Sequence, residues 1–292
     1  MEIISIIPIL NQFDIARQAI KFLLDSGSNV LVIDNGSDEE FTYDDKRVEV
    51  VRYDYPLGSY RVYFEALNHS DADILAFFHS DFFVYDKDWV DKVLKEFERD
   101  SKLGMIGFVG AKGIGADGGR IGTMSNFQGK IIESDPYITS PDNTIDVKNK
   151  WGGSPAEIHG ARITSVVYSG VVDGCSMILR KDALEDIGFR DNICIHHFYD
   201  KIISCQLIEK GWKICTYGIS CDHISGQTAN TQDKYQLAVK EWFKEKGLNP
   251  GGLGINWDQE TYWHNEKILL GEFRDAKHLI PFTVDNLGNI IK

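Results

Sequence analysis

Apolar and polar positions along this chain fall into blocks whose period keeps changing. Residues 3–9 are an almost unbroken apolar run closed by Pro8 and Asn11, the pattern of a strand buried on both faces. From 14 to 24 the apolar positions Ile15, Ala16, Ala19, Ile20, Leu23 and Leu24 recur at helical spacing, and Gly27 ends the segment. Short apolar runs at 30–33, 48–53, 74–78 and 105–109 predict further strands. Helices are predicted over 60–67 and from Trp89, with Asp86 as cap and Trp89, Val90, Val93, Leu94 and Phe97 as the apolar face. This β-α-β-β-α-β-α-β order predicts an α/β fold, a mostly parallel sheet covered by helices.

The pattern changes between Gly110 and Tyr168, which are rich in Gly, Ser, Asp and Asn with isolated aromatics such as Phe127, Tyr137 and Trp151. A connection of that length suits a functional loop that orders only partly without ligand. Regular patterning returns as a strand at 171–180, helices at 182–187 and about 199–210, a strand at 212–217 and a helix at about 232–246. After Asn249-Pro250-Gly251-Gly252 comes an aromatic region containing Trp257, Tyr262, Trp263 and His264.

The 292 residues carry a formal net charge of -13. No Lys/Arg cluster supplies the basic face that nucleic-acid binding needs, while an acidic protein can still take phosphate-bearing ligands through a metal. The 43% hydrophobic content is enough for a sizeable core. Five cysteines, an odd number without a CxxC pair, fit free thiols in a reducing compartment. Cys215 and Cys221 near His223 leave a zinc site conceivable, although the spacing matches no zinc pattern. The N-terminus lacks the basic region and long apolar core of a signal peptide, and no apolar stretch reaches the length of a membrane span. The expectation is a cytoplasmic protein, with peripheral membrane contact left open.

The sharpest chemical feature is His79-Ser80-Asp81, directly after the apolar run 74–78. In open α/β sheets ligands bind at the carboxyl ends of strands. A carboxylate there, beside an imidazole and a hydroxyl, suits a divalent metal carrying phosphates.

Six motifs in order resemble the family 2 glycosyltransferases of the GT-A fold. They are Pro8-Ile9-Leu10-Asn11, Asp34-Asn35-Gly36-Ser37, His79-Ser80-Asp81, the unit from Asp173-Gly174-Cys175 through Met177 and Arg180 to Leu184, His197-Phe198-Tyr199-Asp200, and His223-Ile224-Ser225-Gly226. The resemblance covers roughly residues 1–227. It implies a nucleotide-binding half at 1–109, an acceptor-side half at 110–227, and a C-terminal extension at 228–292 packed on the same domain. Three features depart from the family: one metal carboxylate in place of two, Tyr199-Asp200 where many members have Glu-Asp, and the unmatched 110–168 segment.

The resemblance implies a metal-dependent, inverting transfer from a UDP- or GDP-sugar to a glycan, lipid- or protein-linked acceptor, a role in polysaccharide biosynthesis. Pro8 and Ile9 then contact the base, with Ser80 nearby. Asp34 accepts a hydrogen bond from base or ribose, or is a turn-forming Asx residue. Arg61 recognises phosphate or base, or is a solvated helix residue. Asp81 ligates Mn²⁺ or Mg²⁺. His223 joins it, favouring Mn²⁺, or caps a strand. His79 is assigned a supporting place. Asp200 is the base or a helix N-cap, and Asp173 is the rival base, more often in contact with donor sugar or acceptor. Trp151, Trp257, Tyr262 and Trp263 are available to stack on sugars. Two other readings remain: a non-catalytic nucleotide-sugar-binding module, and a sugar-1-phosphate nucleotidyltransferase. The latter normally carries a Gly-rich basic loop after the first strand, which Pro8-Ile9-Leu10-Asn11-Gln12 is not.

Overall fold

A computed structural model describes residues 1–128, 160–224, 233–248 and 255–292, with the backbone of the short strands Ile131–Ile132 and Ile145–Asp146. The apolar runs assemble into an eight-stranded sheet in the order Val166–Tyr168, Lys213–Tyr217, Leu103–Gly107, Ser176–Arg180, Ile74–Phe78, Ile3–Ile9, Asn29–Asn35, Val48–Tyr53. Ile74–Phe78, Ile3–Ile9, Asn29–Asn35 and Val48–Tyr53 pair in parallel. Ser176–Arg180 runs antiparallel to both its neighbours, and Val166–Tyr168 antiparallel to Lys213–Tyr217, so the sheet is mixed. A run buried on both faces carries no mark of its direction, which is why the pattern alone does not reveal this.

The strand expected over 171–180 is two strands. Val171–Val172 pairs with Gly110–Ala111 in a second sheet, and Ser176–Arg180 enters the main one. Between them Asp173 accepts the Cys175 N–H at 3.0 Å. Gly174 permits the break, because a Cβ there would lie 2.1 Å from the Tyr199 hydroxyl. Asp173 therefore stands at the junction of the two sheets.

The start of the expected long loop is also regular. Gly110–Ile114 and Arg120–Ser125 form an antiparallel hairpin, and the C-terminal strand Phe282–Val284 pairs with the first of them. Near the end of that segment Ala161–Arg162 joins Arg120–Ser125 and Val166–Tyr168 joins the main sheet. Most of 129–159, with Tyr137 and Trp151, lies outside the described residues, as does the expectation of ligand-dependent ordering there.

The helices fall close to their expected places: Phe13–Asp25, Ser59–Glu65, Trp89–Arg99, Lys181–Ile187, Tyr199–Glu209 and Asp233–Glu245. Asp88, not Asp86, is the N-cap of the Trp89–Arg99 helix; the Asp86 carbonyl accepts the Trp89 N–H at 3.3 Å and its carboxylate pairs with Lys92 at 3.1 Å. The aromatic region holds an unexpected helix, Trp257–Leu269, whose N-cap Asn256 accepts the N–H groups of Asp258 and Gln259. Its Asn265 is fully buried: the carboxamide oxygen takes the Cys194 N–H at 2.9 Å, and the amide nitrogen reaches the carbonyls of Cys194, His196 and His197. That amide ties the C-terminal helix to the loop entering the Tyr199–Glu209 helix. The five cysteines are buried free thiols.

Candidate active site

The strand Ile74–Phe78 ends at His79, and the chain turns so that Phe82 N–H bonds back to the His79 carbonyl at 3.1 Å. Phe82–Val84 then pairs antiparallel with Cys221–His223, setting His223 opposite Phe82. This register delivers the second imidazole to the acidic turn. His223 Nε2 lies 3.3 Å from Asp81 Oδ1 and 3.3 Å from His79 Nδ1. The ligand atoms of His79, Asp81 and His223 all fall within 4.8 Å of one another. His79 Nε2 meets the Tyr199 hydroxyl at 3.0 Å; such an outer contact fixes which ring nitrogen faces the cluster.

Burial opposes charge on all three groups. His79 yields to it: burial and the neighbouring His223 lower its pKa. For Asp81, burial is outweighed by His223 and then His79, and the carboxyl stays below its ordinary value. For His223, burial is outweighed by Asp81, and the imidazole titrates above its ordinary value. A carboxylate and two imidazoles held this close are a ready donor set for a divalent cation. Mixed nitrogen and oxygen donors suit Mn²⁺ better than Mg²⁺.

Two cavities meet at this cluster. One, about 140 Å³, is lined by Pro8, Ile9, Asn35, Ser80, Asp81 and Tyr235 among others. The other, about 440 Å³, is lined by Arg120, Asp173, Gly174, Asp200, Lys201 and Tyr262 among others. His79 and His196 line both. Left-handed non-glycine backbone marks both rims: Asn11 and Gln12 (φ 55° and 57°) after the first strand, and His197 and Phe198 (φ 60° and 56°) before the Tyr199–Glu209 helix. Strained backbone of this kind collects at functional sites, and the second pair is the segment held by Asn265.

In the larger cavity one guanidinium joins two carboxylates. Arg120 donates to Asp173 Oδ2 through Nη1 and to Asp200 Oδ2 at 2.5 Å through Nη2. Asp200 also accepts the N–H groups of Gly174 (3.3 Å) and Lys201 (2.8 Å). Burial opposes the charge on Asp173, but Arg120 and the Cys175 N–H hold it well below the carboxylate range. Burial pushes Lys201 down; its ammonium donates to the Gly118 carbonyl at 2.7 Å and lies 4.4 Å above the Phe198 ring.

The structure thus gathers Pro8, Ile9, Ser80 and Asp81 around one cavity, sets His223 beside Asp81, and places Asp173 and Asp200 around the other cavity. Two expected residues fall elsewhere. Asp34 is fully buried: Oδ1 takes the Ser37 N–H at 3.1 Å, and Oδ2 takes Phe41 N–H at 3.4 Å and Arg52 at 2.9 Å. Both oxygens are spent on the turn, so the Asx reading replaces the nucleotide contact, and Asn35 is the motif residue on the cavity wall. Asp34→Ala is expected to cost about 2 kcal/mol in urea unfolding, from donors left unsatisfied and a broken ion pair. Arg61 pairs with Glu65 at 3.0 Å and lines a separate groove with Tyr55, Phe189 and Trp242. Asp200 is not an N-cap; Phe198 holds that position and Asp200 sits in the first turn.

His79 reaches the cluster itself, beyond its expected supporting place, and Cys215 and Cys221 do not join it. Of the aromatics, Tyr262 lines the larger cavity, Trp257 packs near Phe243 at 5.9 Å, and Trp263 is exposed. Ser225 and Gly226 lie outside the described residues. Arg120, Asn265 and Tyr235 were not anticipated. The glycines before Arg120 and the Asn-x-Asp start at Asn256 were the available signals.

Residues 47–245 match the model of the glycosyltransferase like family, and the chain belongs to that family. It is a glycosyltransferase. Among solved structures it is similar to the mannosyltransferase PcManGT from Pyrobaculum calidifontis in complex with GDP-Man and Mn²⁺, with TM-score 0.50 and 12% identity over 94% of this chain and 75% of that one. It also aligns with S. aureus TarS 1-349 at TM-score 0.43 and 14% identity, covering 96% and 75% of the two chains. The fold is that of GT-A enzymes. No curated protein matches. Among the described residues no helix is long and apolar enough to cross a membrane.

Proposed function

We propose that this glycosyltransferase takes its sugar from a UDP- or GDP-sugar and transfers it, with inversion, to a hydroxyl of a glycan, lipid- or protein-linked acceptor. The observation that carries the reading is the His79, Asp81 and His223 cluster where the two cavities meet. Residues 1–109 supply the nucleotide side, 110–227 the acceptor side, and 228–292 close both through Tyr235 and Tyr262. Asp81, His223 and His79 hold the divalent cation, Mn²⁺ in preference to Mg²⁺. A cation held there would supply positive charge to offset the negative charge developing on the departing diphosphate. Pro8 and Ile9 wall the nucleotide, and Ser80 offers a hydroxyl next to Asp81. On the acceptor side Asp200 takes the proton of the attacking hydroxyl. The new bond forms between that oxygen and the anomeric carbon, and the bond to the diphosphate breaks with its electron pair leaving on the diphosphate.

The test is a thermal-shift screen of UDP and GDP with and without Mn²⁺. A ligand that binds only the native state raises its melting temperature, and the expected shift needs both nucleotide and metal. Its pH dependence follows from the cluster. Asp81, held below its ordinary pKa, contributes stability present above that ordinary value and lost as pH falls. His223, held above its ordinary pKa, contributes stability present at lower pH and lost as pH rises. Metal needs the neutral imidazoles. The metal-dependent shift is therefore expected to grow between about pH 5.5 and about pH 7.5, across the histidine range. Equal shifts with and without metal at every pH would remove the cation from the account.

A further inference from the structure

We propose that Arg120 is a positioning residue for the acceptor side: its single guanidinium spans Asp173 and Asp200 and fixes both carboxylates across the cavity. This rests on Asp200 being the base. Arg120 opens the strand Arg120–Ser125, immediately after the Gly118-Gly119 turn. That turn is tied to the Tyr199–Glu209 helix by the Lys201 bond to the Gly118 carbonyl. The guanidinium nitrogens Nη1 and Nη2 each hold one carboxylate, while Nε is buried without a hydrogen-bond partner. Its polar commitments are thus the two acids themselves.

Two carboxylates on adjacent nitrogens of one cation are a like-charge pair that the cation neutralises. Without it, such a pair cannot stay doubly ionised at little cost, and the proton affinity of one member rises. The other groups facing Asp200 do not replace Arg120. Tyr63 and Tyr199 are buried phenols, held protonated chiefly by that burial. His79 is held toward its neutral form by burial. Among the described residues Lys201 is the remaining cation, and it is turned to Gly118 and Phe198. Burial opposes the charge on Arg120 as well, yet Asp173 and Asp200 hold it protonated above the usual arginine range.

The experiment is a carboxyl carbon-13 NMR titration of Asp200 in the parent, R120K, R120Q and R120Q/D173N proteins without substrate. Asp200 in R120Q is expected to titrate about one pH unit or more above the parent. R120K should lie between them, and R120Q/D173N should fall back toward the parent. An Asp200 titration in R120Q that superimposes on the parent overturns the proposal. Should R120Q fail to fold, the double variant decides. A recovered fold supports the proposal, since deleting one carboxylate then compensates for the lost cation, and equal instability of single and double variants overturns it. Because no substrate is present, the titration stands or falls apart from the transferase mechanism. The link to catalysis is read separately, as an acid limb of the turnover profile that moves with the Asp200 titration.

Discussion

Asp200→Asn is expected to lower sugar transfer by about a hundredfold or more, the scale of losing a general base, and to leave nucleotide and metal binding unchanged. Asp200 lines the larger cavity, away from the Pro8 and Ile9 wall, so donor contacts should survive. Asparagine keeps the shape, and its amide oxygen can still accept from Arg120 and from Gly174 N–H, so the fold should hold. It cannot take a proton at neutral pH. Binding by calorimetry and transfer by product analysis, on the same preparation, separate the two effects. A variant that transfers at the parent rate would leave Asp200 a partner of Arg120 only, and Asp173 would become the residue to test.

The second large effect is expected at the metal. Asp81→Ala should weaken Mn²⁺-dependent nucleoside diphosphate binding by about a hundredfold or more, since even outer-sphere partners of a metal cost ten- to a hundredfold. Among the described residues Asp81 supplies the cluster's only carboxylate. Its removal also deprives His223 of the charge that raises its pKa. The fold should survive, because the Ile224 N–H bonds to the Asp81 backbone carbonyl, not to its side chain. Titration calorimetry with UDP or GDP, with and without Mn²⁺, measures this. Unchanged metal-dependent affinity would refute the ligand assignment.

What the chain reveals by pattern alone is set by local physics. Strands Ile3–Ile9, Val48–Tyr53 and Ile74–Phe78 end where apolar runs meet turn formers, so their limits were readable. Leu103–Gly107 was misplaced by two residues, because Phe108 and Val109 leave the sheet yet are as buried as the strand itself. The direction of Ser176–Arg180 depends on pairing partners distant in sequence. The candidate metal cluster was readable as two separate motifs, but that His79 joins it follows from the Tyr199 contact and the register of Phe82–Val84 against Cys221–His223. Asp34 looked like a ligand because its motif did. Its burial and its bond to Arg52 are tertiary facts. Arg120 carried no visible partner in sequence, since both its carboxylates come from other elements, 53 and 80 residues away. Asn265 acts on a loop 71 residues earlier, which no periodicity encodes.

The most direct test of the central claim is to incubate the protein with a panel of UDP- and GDP-sugars, with Mn²⁺ or with a chelator, and to follow release of nucleoside diphosphate and the fate of the sugar by mass spectrometry. The account predicts that at least one donor loses its sugar, to an added glycan or slowly to water, with release of the nucleoside diphosphate. It predicts that the chelator and Asp81→Ala both stop the reaction, and that Asp200→Asn slows it without loss of donor binding. Release that proceeds equally in chelator, or in Asp81→Ala, would contradict it.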